Sequence, residues 1–198
     1  YLLPPTGITF ISDVDDILRV AKIWSPGRAL LATLSRPFVP WGNMPSIYAH
    51  WRARFPTAHF NYLSITPSPL TPAYLGFLSS HYPAGSFTAR SLSSFFHPRL
   101  ALAEQAIAPF PNRTIVLVGD TSNNDILKVF PELAHRNPQI SCILLRDTGA
   151  TDQTFRSHVH HMKAFESLPE GTQYFLFREP DDIRDIDFAS GGCRNESI

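Results

Sequence analysis

Asp13, Asp15 and Asp16 place three carboxylates within four positions, directly after the apolar run Ile8-Thr9-Phe10-Ile11-Ser12. Like charges this close require a cation or a shared proton. The arrangement returns downstream, where Thr114-Ile115-Val116-Leu117-Val118-Gly119 ends in Asp120 and Asp125 follows close behind. Between the two, His59-Phe60-Asn61-Tyr62-Leu63 runs into the hydroxyls of Ser64 and Thr66. Grouped carboxylates supply the hard oxygen ligands that suit Mg²⁺, and the lack of paired Cys and His argues against zinc. Hydroxyls, backbone N–H groups and a helix N-terminus suit a phosphate. The chemistry these residues point to is Mg²⁺-assisted phosphoryl transfer, with one Asp as nucleophile and a second as proton donor.

These groups can act together only if the strand ends that carry them meet. Short continuous apolar runs read as buried parallel strands, and in open α/β sheets ligands bind beyond the carboxyl ends. Strands are expected from Ile8, over 59–65, 86–90, 114–120, 140–145 and 174–178, and helices over 44–55, 71–80, 97–108, 125–134 and 153–168. This alternation predicts an α/β fold in one domain over 1–198, a central parallel sheet with helices on both faces. Pro26, Pro37, Pro40 and Pro45 interrupt residues 18–57, which read as a small Pro-rich insertion after strand 1, either core or a lid. The acidic, Gly-rich tail over 181–198 reads as a poorly ordered end.

Lys plus Arg equals Asp plus Glu at 17 each, so no basic field recruits nucleic acid from a distance. Cys142 lies in an apolar run and reads as a buried thiol, which favours a reducing, cytoplasmic compartment. No apolar run approaches the ~20 residues that span a bilayer. The first residues lack a signal-peptide layout, and a chain that opens on Tyr1 suits a fragment. His158 and His161 share a helical face with His160 nearby, but no fourth ligand converges on them, so they read as solvated.

In order, Ser12-Asp13-Val14-Asp15-Asp16, Tyr62-Leu63-Ser64-Ile65-Thr66-Pro67, Pro83-Ala84-Gly85-Ser86-Phe87, Phe110-Pro111-Asn112-Arg113, Val116-Leu117-Val118-Gly119-Asp120-Thr121 with Asp125, and Ile143-Leu144-Leu145-Arg146-Asp147 carry a resemblance. The chain resembles the catalytic domain of the actin-patch-associated, Mg²⁺-dependent phosphatidate phosphatases of fungi, a branch of the haloacid dehalogenase (HAD) superfamily. The resemblance implies a Rossmann-like HAD fold and an enzyme that dephosphorylates phosphatidate to diacylglycerol through an aspartyl-phosphate. It implies that Asp13 is the nucleophile and Asp15 the acid and base. Mg²⁺ would be held by Asp13, the backbone carbonyl of Asp15 and Asp120, with Asp125 assisting directly or through water. Ser64 and Thr66 would bind the phosphoryl group, and Arg99, where the family has Lys, would neutralise it. A phosphorylated lipid partner, peripheral membrane contact and a place in the cytoplasm near membranes or actin patches are also implied.

Two further positions depart from the family pattern: Ile17 stands where a Thr closes the first motif, and Ile65 stands where an Asn follows the Ser. They leave two alternatives open, a phosphatase of small soluble phosphomonoesters and a catalytically impaired HAD-like binding module.

Overall fold

The computed structural model describes residues 3–22, 37–90, 99–152 and 159–193. Within them the chain forms β1 (Ile8–Asp13), α1 (Met44–Arg54), β2 (His59–Pro67), α2 (Thr71–His81), β3 (Ser86–Arg90) and α3 (Arg99–Ile107). The second half continues with β4 (Thr114–Asp120), α4 (Asn124–Arg136), β5 (Ile140–Arg146), the single turn α5 (Thr148–Thr151) and β6 (Gln173–Phe177). All pairings are parallel, in one sheet of order β3-β2-β1-β4-β5-β6. The strand order reverses between β1 and β4, so a crevice opens there beyond the carboxyl ends. Asp13 lies beside Leu63, and Ser12 beside Val118, which brings the ends of β1, β2 and β4 level.

The period-two alternation of buried strands divides the interior between the two faces. Val116, Val118 and Phe10 join Trp51, Phe60 and Phe77 on one side, under α1 and α2. Ile115, Leu117 and Ile11 join Leu102, Phe130 and Leu133 on the other, under α3 and α4. Helices therefore cover both faces, as the alternation of elements implies. Gly119 has a packing role here: a Cβ would lie 2.8 Å from Phe130 and 2.9 Å from Ile126, so the glycine lets α4 close onto β4.

The tail corrects an expectation. Residues 181–193 are built into the fold: Ile183, Ile186 and Phe188 are buried in the first cluster. Phe188 meets Phe10 and Trp51 edge-on at 5.2 and 5.3 Å, and the Trp51 indole N–H donates to the carbonyls of Ile183 and Arg184. The free thiol expected at Cys142 is instead half of a disulfide with Cys193, which ties this segment to β5. Short 3-10 turns carry the apolar residues here, and they have no period for a sequence reading to detect. Residues 159–165 are likewise a 3-10 segment and not the end of an α-helix, while 153–158, His158 among them, fall outside the described residues. Of the expected insertion, α1 is core, with Met44, Ile47, Tyr48 and Trp51 buried, and residues 23–36 lie outside the described set.

At the amino end of the central strands, Arg113 is buried with five N–H donors on neutral oxygens: Thr9 Oγ1 and the carbonyls of Pro4, Thr6, Ile8 and Thr57. His59 sits beside it, Nε2 2.9 Å from Ser86 Oγ. Burial, then the Arg113 cation, push its imidazole down to about 4 from 6.5. The unfolded chain therefore binds a proton that the folded chain refuses, so His59 costs stability as pH falls from about 6.5 toward 4. The stability difference between wild type and His59→Gln should shift in favour of the variant between pH 7 and pH 5, read by urea denaturation; a constant difference refutes the assignment.

Gly85 offers a sharper packing test. A Cβ there would lie 2.1 Å from the Phe60 carbonyl oxygen, a backbone atom that cannot yield, whereas Gly76 on the exposed face of α2 has open space. Gly85→Ala should cost about 3 kcal/mol or more. Gly76→Ala should add up to about 1 kcal/mol. Equal denaturation midpoints for the two variants would contradict this geometry.

Candidate active site

Asp13 ends β1 and Asp120 ends β4, one on each side of the switch point, at 2% and 0% exposure. Asp13 Oδ1 accepts from the Val14 N–H at 3.1 Å, and its Oδ2 faces Nη1 of Arg99 at 3.1 Å. Burial pushes the Asp13 carboxyl up to about 7; the Arg99 cation pulls it down, and the neighbouring Asp15 and Asp120 push it further up. Asp120 is pushed up to about 6, again by burial, against hydrogen bonds from the Ser122 hydroxyl and N–H. Its Oδ1 also takes the Thr148 hydroxyl at 3.4 Å.

Arg99 opens α3 and is buried, and among the described residues its Nε and Nη1 make no hydrogen bond. A guanidinium in ionic contact with Asp13 and with such donors can meet a second anion.

Asp15 is held quite differently. Its Oδ1 takes Nε of Arg19 at 2.6 Å, its two oxygens take the Tyr74 hydroxyl at 2.9 and 3.0 Å, and its Oδ2 takes the Ser64 hydroxyl at 3.3 Å. Arg19 is itself buried, its guanidinium 3.8 Å above the Phe38 ring and 4.9 Å from that of Tyr74. Thr66 supports the arrangement from behind: its N–H donates to Ser64 Oγ at 3.1 Å, and its hydroxyl is 2.7 Å from that of Tyr74.

Asp16 shapes the loop. It adopts φ 62, and its Oδ1 accepts from the N–H groups of Ala21 and Lys22 at 2.9 and 2.7 Å. Arg146, stacked 4.0 Å from the Trp41 ring, donates to the Asp16 carbonyl at 2.6 Å. Ile17 follows, fully buried in the core, where it anchors the loop by packing in place of the hydroxyl expected there.

Of the residues singled out from sequence, Asp13, Asp15, Ser64, Arg99 and Asp120 are buried around the ends of β1, β2 and β4, and Thr66 is half-buried beside them. Asp125 is exposed in the first turn of α4, where the Asn123 side chain accepts from its N–H. Sequence reasoning did not single out Arg19, Tyr74 or Arg146. The four-residue spacing from Asp15 to Arg19 was a usable signal; Tyr74 offered only its place on a helix face.

Among the described residues no three Asp, Glu, His or Cys side chains converge to hold a metal. The donor set still fits one hard divalent cation, because Asp13 Oδ2 and Asp120 Oδ2 are both buried without a hydrogen bond. Mg²⁺ binds through one or two carboxylates, with water and substrate oxygens completing its shell.

Residues 8–147 match the family described as the catalytic domain of phosphatidate phosphatase APP1. The chain belongs to this family. It is thereby a phosphoric monoester hydrolase, and the match runs from the start of β1 through Asp147, so it contains the ends of β1, β2 and β4. Comparison with curated proteins and with solved structures yields no match. Among the described residues no helix is long and apolar enough to cross a membrane.

The raised carboxyl at Asp120 has a measurable consequence. Between about pH 4 and 6 the folded state holds a proton there that the unfolded chain has lost, so without divalent cation its stability falls as pH rises. Asp120→Asn should remove this, gaining up to about 3 kcal/mol over wild type at pH 8 in EDTA, and nothing at pH 4. A pH-independent difference by denaturation would count against a desolvated carboxylate.

Proposed function

We propose that the chain hydrolyses phosphatidate to diacylglycerol and phosphate through a phosphorylated Asp13. The observation that carries this reading is that two acids two residues apart are held by two different cations, Asp13 by Arg99 and Asp15 by Arg19. One carboxylate is in contact with a cation that has donors to spare; the other is anchored by directed hydrogen bonds. That division suits a nucleophile and a proton carrier.

An Asp13 oxygen attacks phosphorus as the P–O ester bond breaks, and the leaving alkoxide takes a proton from protonated Asp15. Water then gives a proton to Asp15 while its oxygen attacks the aspartyl-phosphate, releasing phosphate and restoring Asp13. The unpaired N–H donors of Arg99 and the Ser64 hydroxyl receive the phosphoryl oxygens. Bound between Asp13 and Asp120, Mg²⁺ would screen the repulsion between attacking carboxylate and phosphate. A lipid substrate is supported by Val20 and Val39, joined by a backbone hydrogen bond at 2.9 Å and 37% and 57% exposed, an apolar rim next to Arg19.

With Mg²⁺, wild type should release phosphate from phosphatidate in mixed micelles. Asp13→Asn should lose at least about 10³-fold, since no other group replaces the nucleophile. EDTA should abolish turnover. Activity that survives Asp13→Asn defeats the mechanism, and preference for a soluble ester such as glycerol 3-phosphate over the micelle defeats the lipid assignment.

A further inference from the structure

The network around Asp15 distinguishes its two oxygens. Oδ1 receives the shortest contact of the group, 2.6 Å from Nε of Arg19, together with the Tyr74 hydroxyl at 2.9 Å. Oδ2 receives Tyr74 at 3.0 Å and Ser64 at 3.3 Å, the longest contact. Arg19 cannot readily swing away, since it is 1% exposed and held over the Phe38 and Tyr74 rings. Tyr74 has a single proton. With its O–H donated to Asp15, it accepts from the Thr66 hydroxyl at 2.7 Å, so the chain of donors runs from Thr66 through Tyr74 to Asp15.

We propose that Arg19 and Tyr74 are positioning residues that hold the Asp15 carboxyl in one fixed orientation for proton transfer, Arg19 through Oδ1 and Tyr74 through both oxygens. A phosphoryl oxygen that accepts the Ser64 hydroxyl takes away the longest contact of Asp15 and leaves these two supports in place. The proton passes from the Asp15 carboxyl to the ester oxygen as the P–O bond breaks, and one from water replaces it. This proposal rests on the reading of Asp15 as the proton carrier.

Proton donation matters to a poor leaving group and little to a good one, so the proposal is read as a ratio. Wild type, Tyr74→Phe and Arg19→Lys are assayed with Mg²⁺ on a short-chain phosphatidate, whose alkoxide needs a proton, and on p-nitrophenyl phosphate, whose phenolate does not. Circular dichroism and melting curves establish that each variant is folded. In Tyr74→Phe the ratio of kcat for the alkyl ester to kcat for the aryl ester should fall at least about tenfold, within the range of general acid catalysis. Arg19→Lys keeps the charge and loses the fixed Nε direction, so its ratio should fall by less. An equal drop on both esters in the folded variants means a merely structural role and overturns the proposal, as does no drop on either. Wild type inactive on both esters removes the phosphatase reading and the proposal with it. Wild type active on both with an unchanged ratio in the variants removes the proposal alone.

Discussion

Four carboxylates, those of Asp13, Asp15, Asp16 and Asp120, are 7% exposed or less at one end of the sheet, and the rest of the site is arranged around the cost of keeping them there. Ionised groups withdrawn from water are strongly disfavoured unless charge or hydrogen bonds replace the hydration. Three guanidiniums do much of this: Arg99 on Asp13, Arg19 on Asp15, and Arg146 on the carbonyl of Asp16 and within reach of the field of Asp120. The two acids pushed upward, Asp13 to about 7 and Asp120 to about 6, flank the switch point, so the cost of burial is least offset where a divalent cation would be held.

The cations need support of their own. Arg19 lies on Phe38 and Tyr74, and Arg146 on Trp41, so aromatic faces take the place of water over the guanidiniums. Phe38 and Trp41 come from the Pro-rich segment after β1, and both pack against the first core cluster. The Trp41 N–H donates to the Leu18 carbonyl at 3.0 Å, and the Val20 N–H to that of Val39 at 2.9 Å, so the segment is zipped to the loop that carries the acids. What reads in sequence as an interruption by prolines is in part the scaffold of the buried charges.

Much of this was legible in the sequence because it follows from local pattern. β1, β2 and β4 are apolar runs whose carboxyl ends carry the residue types the site uses, and the parallel order follows from alternation with helices. Arg99 is reached through the family resemblance, as the residue that stands where the family has Lys. What local pattern could not carry was partnership across distance. Tyr74 lies 59 residues from Asp15, and Arg146 lies 130 from Asp16. The C-terminal segment was opaque for a related reason: its aspartates dominate the composition, while Ile183, Ile186, Phe188 and Cys193 act one at a time, each against a part of the core made by distant sequence.

Under the proposed mechanism, the contrast between Asp13 and Asp15 gives each acid a support suited to its role. A nucleophile has to leave its resting contact and approach phosphorus, so a single ionic contact, Asp13 to Arg99 without a formed hydrogen bond, suits it better than a rigid clamp. An acid that later acts as base must return to one place twice, once to give a proton and once to take one. Three donors, from Arg19, Tyr74 and Ser64, leave Asp15 little freedom. Between Asp13 and Asp15, Val14 is fully buried and anchors the short loop in the core under both acids.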